Sequence, residues 1–431
     1  MDENEPGRQP TERSVADAPR TRRQFLATSL IGGIGLATVV GDVSGRRWAE
    51  ETIVAPGTIG DYTSINDAID EAGVGDRISV VPGTYEGTVV VDVPGVTLSS
   101  LGLAGATIQG GWTQAGPVVD IRADGVTVRG FRVTHPDGRL GITVDSGLAG
   151  VQIRQNHVTE VGPYGAPGAT GIGVGTPQSS LSITGNVVEN VRSVLPEETT
   201  YPVSDGITIN GPPDTEDDET ADDGATTRSE PPLTDSVVRD NVVRRLTSEY
   251  ACRGIAVIPD AARVDVWHND VYTLDARTDR DEPSPYAWGI HAAGRADDVQ
   301  FQHNVVDDIS ASAYVGTGVM VRGQPDGLTI TENDLTTTLG VQNDTDVPLA
   351  AALNWWGHPL GPLRASSNRA TKDLRPKDGQ GTYVGPMTVD PWLTGTIQSN
   401  GDRTNEYVQT RLSEESIDGG REGPGLWTFT S

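Results

Sequence analysis

Cysteine is almost missing from this chain: Cys252 stands alone among 431 residues, so no intramolecular disulfide can form and no cysteine-based zinc or iron–sulfur site can be built. Lysine is as scarce, with only Lys372 and Lys377, so nearly every base is an arginine. Aromatic residues make up 5% and hydrophobic residues 35%, against 53 glycines. That composition argues against a helical bundle and for many short strands joined by tight turns. Sixty acids face 32 bases, a net charge of −28, which repels nucleic acid and anionic membranes and keeps a protein soluble where salt screens its self-repulsion. We read the charge as a mark of a salty habitat rather than of function, and expect no nucleic-acid partner.

Long apolar runs are missing too, with one exception near the start. In 21 TRRQFLATSLIGGIGLATVVG 41, Arg22 and Arg23 precede Phe25, Leu26 and about 16 apolar or small residues, a run short for spanning a membrane. The segment resembles a twin-arginine export signal, which implies passage of the folded chain through the twin-arginine translocon. No Cys follows it to carry a lipid. Residues 1–45 are therefore expected to be signal and leader, with the mature protein secreted or, if the signal is uncleaved, tethered at the cell surface.

What the chain has in abundance is repetition. Gly141 to Asn156, Gly171 to Asn186, Gly254 to Asn269, Gly289 to Asn304 and Gly318 to Asn333 each span fifteen residues. Gly206 to Asn241 is the same unit stretched to thirty-five by 211 GPPDTEDDETADDGATTRSEPP 232, an acidic, Pro-flanked insertion that reads as a solvated loop. Alternating apolar pairs follow each Gly (Ile207 and Ile209, Ile255 and Val257) and precede each Asn (Val151 and Ile153, Val264 and Val266), the signature of short, half-buried strands. Units too short to bury their own faces must stack. The recurring Asn suits a corner that needs a positive φ, and its amide can bond from rung to rung. Leu101 and Phe131 extend the Asn column upstream and Asn354 extends it downstream.

With these residues the sequence resembles the right-handed parallel β-helix, or pectate-lyase-like, superfamily. The resemblance implies an all-β, single-stranded right-handed parallel β-helix of about nine rungs over residues 52–393, with a polar tail at 394–431. An amphipathic helix within 58–87, carrying Ile65, Ala68, Ile69 and Ala72 on one face, is expected to cap the N-terminal end. At the other end 354 NWWGHPLGP 362 and 389 VDPWL 393 are similar to the closing motif of β-helix repeat proteins, among them the copper-maturation protein of nitrous oxide reductase. Trp355 and Trp356 are expected to pack there.

Register converts the repeat into surface columns spaced about 4.8 Å apart. Tyr164, Tyr201, Tyr250, Tyr286 and Tyr314 fall in the turn before successive glycines, where ring faces suit sugars but equally suit a structural ladder. Beside them come Asp205, Arg253, Trp288 and His291: an acid, a base, a stacking ring and an imidazole, enough for acid–base work on a glycan or merely for a salt bridge. A third column precedes the Asn and contains Asp240, His268, His303 and Glu332, a metal-capable set that is also explained as a polar edge.

The superfamily hosts many functions, and departures from its patterns exclude some. Polygalacturonase and pectin methylesterase motifs are missing. Lyases with a lysine base in the rungs are excluded, whereas an Arg, His or Tyr base remains open through Arg253, His291 or Tyr250. Copper maturation is weakened by the scarcity of soft ligands, Met320 being the only Met within the rungs. Two expectations survive: a monomeric, exported β-helix that binds an extracellular or cell-surface polysaccharide through Tyr164, Tyr201, Tyr250, Tyr286, Trp288 and Tyr314, or a lyase, epimerase or hydrolase of uronate-containing glycans using Asp205, Arg253 and His291. No cofactor is required, although Ca²⁺ could be held by carboxylates near the insertion.

Overall fold

The computed structural model describes residues 51–57, 59–111, 116–162, 168–194, 202–210, 232–279, 284–367 and 379–397. The segment expected to be an export signal, Tyr164, Tyr201, the acidic insertion up to Pro231 and most of the C-terminal tail lie outside the described residues.

Each turn of the chain lays one strand in each of three parallel sheets, here called A, B and C in the order a turn visits them. One turn reads Ala261–Trp267 in sheet A, Asp270–Ala276 in sheet B and Tyr286–Ala292 in sheet C. The next turn pairs with it residue for residue, Val264 on Val299, Leu274 on Ile309 and Ile290 on Val319. Alternation sends Val264, Val266, Val271, Leu274 and Ile290 inward, where all are buried, and one continuous core runs along the stack. The chain is thus a parallel β-helix, and its strands run from Glu51–Val54 to Met387–Thr388.

The corner between sheets A and B is held by the repeated Asn. From Asn156 through Asn354 each Nδ2 donates to the Oδ1 of the next Asn at 2.9–3.1 Å. The same Oδ1 accepts the backbone N–H of the preceding Asn at 2.9–3.1 Å. The second amide hydrogen goes to a strand carbonyl of sheet A, such as Val238 for Asn269 or Val266 for Asn304. Every polar atom of these side chains is satisfied, which is what lets an amide stay buried. The expected positive φ is displaced by one position, however. It falls on the residue before each Asn: Gln155, Asp240, His268, His303, Glu332 and Leu353 at φ +53° to +58°, and Gly185 at +65°. Asn is selected for its bonding capacity, and its neighbour absorbs the bend.

Upstream, Phe131 holds the column as expected, fully buried with its N–H on Asn156 Oδ1. Leu101 does not: residues 101–105 loop out, Leu101 is 44% exposed, and Ala106 fills the inner position instead. The repeated Gly has a different reason again. A Cβ on Gly254 would lie 2.5 Å from the carbonyl oxygen of Gly289 and against Val271 of sheet B, so no side chain fits where sheet C approaches sheet B. Near the N-terminus the short helix α1, Ile65–Asp70, is N-capped by Ser64, buries Ile65, Ala68 and Ile69, and packs on the first strands of the stack. Near the C-terminal end Trp356 is fully buried, its ring filling the space above Gly340. No helix among the described residues is long and apolar enough to cross a membrane.

Candidate functional site

The outer face of sheet C departs most from the repeat. Two outward columns flank the repeated Gly. In one, Thr170, Asp205, Arg253, Trp288 and Thr317 succeed each other in register. In the other, Thr143, Gly173, Thr208, Ala256, His291, Met320 and Gln342 do so. Small residues floor the early rungs of the second column, and the aromatic and charged groups gather over the later ones.

The gathered groups form a contiguous patch. Tyr250 meets Tyr286 edge to face with ring centroids 5.1 Å apart, Tyr286 stacks on Trp288 at 4.2 Å, and Trp288 lies 4.5 Å from the ring of His291. Arg322 sits over the Trp288 ring at 4.8 Å and reaches Asp344 at 3.5 Å. Arg253 grips Asp205 with two parallel bonds, Nε to Oδ1 at 2.7 Å and Nη2 to Oδ2 at 2.8 Å, the strong, planar form of such a pair. Both partners are largely buried, their side chains 16% and 7% exposed.

Electrostatics follow from that burial. Burial works against the charge of Arg253, but Asp205 opposite outweighs it and the guanidinium is held above its ordinary pKa. Burial pushes the Tyr286 phenol up to about 12, although Arg253 pulls the other way. Burial, reinforced by the charges of Arg253 and Arg322, brings His291 down to about 3. His291 is therefore a neutral imidazole at ordinary pH, and neither of its buried ring nitrogens has a hydrogen-bond partner among the described residues. A buried polar side chain without a partner is rare in a native fold and calls for an explanation.

Of the residues expected to line a glycan site, the structure brings Tyr250, Tyr286, Trp288, Asp205, Arg253 and His291 together. Tyr314 lies between the strands Val305–Ala311 and Thr317–Val321, and Tyr164 and Tyr201 fall outside the described residues. Arg322 was not foreseen. It stands one residue past Val321, the last of its sheet C strand, a position shared with Arg122, Asp145 and Asp344 on other turns, and reading one residue beyond each strand would have found it.

The column before the Asn lies on the outer corner, on the far side of the Asn ladder from the core. His268 Nδ1 is 3.8 Å from Asp240 Oδ1, His303 Nε2 is 3.2 Å from Glu332 Oε2, and the two imidazoles are 5.1 Å apart. The four residues make two couples side by side; among the described residues no three His, Cys, Asp or Glu side chains converge to hold an ion. A further charged centre, unforeseen, lies on sheet B. There Glu189 accepts from His157 at 2.9 Å and from Arg244 at 2.7 Å and also pairs with Arg245. Burial alone would raise its pKa, but the bonds from His157 and Arg244 and the nearby arginine charges leave it lowered. These contacts account for Glu189 as a structural hub.

No protein-family model matches the chain, and no curated protein matches it in sequence. Solved structures do share similarity. An alginate lyase from Paenibacillus sp. aligns at 15% identity over 79% of this chain and 99% of its own, with a TM-score of 0.49. Pectate lyase Pel9A aligns at 12% identity over 81% and 79%, with a TM-score of 0.42. The A-module of a mannuronan C-5 epimerase from Azotobacter vinelandii aligns at 13% identity over 77% and 94%, with a TM-score of 0.37.

Proposed function

We propose that this protein is an exported β-helix that binds an extended polysaccharide along the outer face of sheet C. The observation that carries the reading is the unbroken series Tyr250, Tyr286, Trp288 and His291, ring against ring, ending on an imidazole with no partner of its own. Aromatic faces accept the apolar faces of sugar rings, and a polar group left unpaired beside them is where a hydroxyl or acid of the ligand would bond. A chain lying along the helix axis would meet one rung about every 4.8 Å, close to the length of one pyranose. Export rests on Arg22, Arg23 and the apolar run after them.

A lyase or epimerase on the same face is the second reading, favoured by the neutral imidazole beside Arg253. Two features count against it. A base with a pKa of about 3 removes a proton poorly, since general bases work best near the operating pH. Asp205 is already committed to Arg253 and has little capacity left to act as an acid. The same groups serve binding without change: a fixed ion pair, a fixed stack and a waiting imidazole.

The test is retention on a panel of neutral and uronate-containing polysaccharides, with and without Ca²⁺, together with assays for unsaturated products and new reducing ends. Binding predicts retention that weakens at least tenfold in Tyr286→Ala, without turnover. Turnover that disappears in Arg253→Ala and His291→Ala would replace the binding reading with the enzymatic one.

A further inference from the structure

Sheet A presents a feature at odds with the rest of this acidic surface. Its outward column carries Arg129 and Arg154 on adjacent turns, then Thr184, Arg239 and Trp267, all in register. Arg239 is exposed, pairs at 3.8 Å with Asp240 and lies 5.9 Å from the Trp267 ring. Among the described residues Arg129 and Arg154 have no ion-pair partner and Nε of Arg154, which is buried, has no acceptor; both side chains are half-buried. The neighbouring outward column offers them only Thr127, Gln152 and Ser182. Like charges side by side on a sheet repel each other, and a buried, unsatisfied donor on a cation is costly. In a chain with 60 acids and 32 bases, a carboxylate beside this pair would have been easy to supply. Its lack leaves a cationic stripe open to an anion from outside.

We propose that the outer face of sheet A is a second binding surface, for an acidic polysaccharide lying along the helix axis across Arg129, Arg154 and Arg239. Charge complementarity selects an anionic partner, and the geometry selects a polymer with regularly spaced charge. Arg129 and Arg154 stand about one rung, roughly 4.8 Å, apart and Arg239 two rungs beyond Arg154, so a chain with one carboxylate on each sugar meets guanidiniums at the first, second and fourth positions, each able to grip a carboxylate with two bonds. Trp267 closes the stripe with an apolar ring beside the last arginine. The surface is separate from sheet C and does not depend on what sheet C binds.

The experiment compares binding of the full-length protein to polygalacturonate and to the same polymer fully methyl-esterified, over a range of salt. Wild type is compared with Arg129→Gln/Arg154→Gln, both alone and in a Tyr286→Ala background. A loss of at least tenfold in affinity for the charged polymer, present in both backgrounds, with a shallower salt dependence and an unchanged thermal midpoint, is the expected result. Arg129→Lys/Arg154→Lys, which keeps the charge but not the fork, should recover part of the loss and guards against a folding defect. Unchanged affinity in the glutamine variant, an equal loss for the esterified polymer, failure of wild type to bind the charged polymer, or capture of anionic lipid vesicles in its place would each overturn the proposal.

Discussion

The inner corner between sheets A and B and the outer face of sheet C are built by the same turns of chain, yet they obey different rules. At the corner, six successive rungs from Asn156 to Asn333 carry the same residue making the same bonds. On sheet C the corresponding run reads Thr170, Asp205, Arg253, Trp288 and Thr317, with no two neighbours alike. Inside, each position must fit the rung above and the rung below, so a residue that solves the problem once solves it every time. Outside, neighbouring rungs impose little, and the identity of each residue is free to answer to something other than the fold. Periodicity thus marks architecture here, and its interruption marks the candidate function.

Breaking the interior should cost most. Gly254→Val places a branched side chain against the Gly289 carbonyl and Val271. Neither the backbone nor the packed valine can yield, so destabilisation at or beyond the usual overpacking range of about 1–3 kcal/mol is expected, and denaturant unfolding measures it. Asn269→Ala leaves the backbone and amide donors of Asn241 without their acceptor and frees the Val238 carbonyl. At about 1–3 kcal/mol for a buried group left unsatisfied, the loss should be near 3 kcal/mol and should show as a lower urea midpoint with little change in slope.

The outer face should instead respond to pH. The folded pKa of His291, about 3, lies below the ordinary histidine value of about 6.5, so the unfolded chain binds more protons between the two. The stability His291 contributes is complete above pH 6.5 and is lost as pH falls toward 3, about 2 kcal/mol of it by pH 5. His291→Gln should flatten that part of the stability profile; a profile of unchanged steepness would show that the imidazole is not held neutral. Smallest of all should be Arg263→Gln, which removes an ion pair with Asp235 whose partners are both about half exposed. No measurable shift in thermal midpoint is expected, since exposed pairs contribute little.

The interior was the more legible part in the sequence for the same reason. Alternating valines and isoleucines, the fifteen-residue interval and the recurrent Asn are consequences of stacking, and stacking leaves a period. Where the chain leaves the stack the pattern misleads, as at Leu101, which holds the right spacing but is carried outward by the loop at 101–105. The φ of the corner was assigned to the wrong neighbour because composition alone does not separate the residue that bends from the residue that bonds. The outer face was legible as a list of columns: register did join Asp205 to Arg253 and Arg253 to Trp288, and Tyr286 stands two residues before Trp288 on the same strand. Arg322, the Glu189 hub and the arginine stripe of sheet A were not read, because each depends on which unlike side chains meet across rungs, and no repeat announces that.

The measurement that bears most directly on the sheet C reading is NMR of the imidazole nitrogens, practicable because the chain has only six histidines. With the protein saturated by a polysaccharide that retains it, the His291 ring signals should shift as a nitrogen gains a partner, while His135 and His157, which lie on other parts of the stack, stay in place. A bound polysaccharide that leaves His291 unmoved would contradict the account.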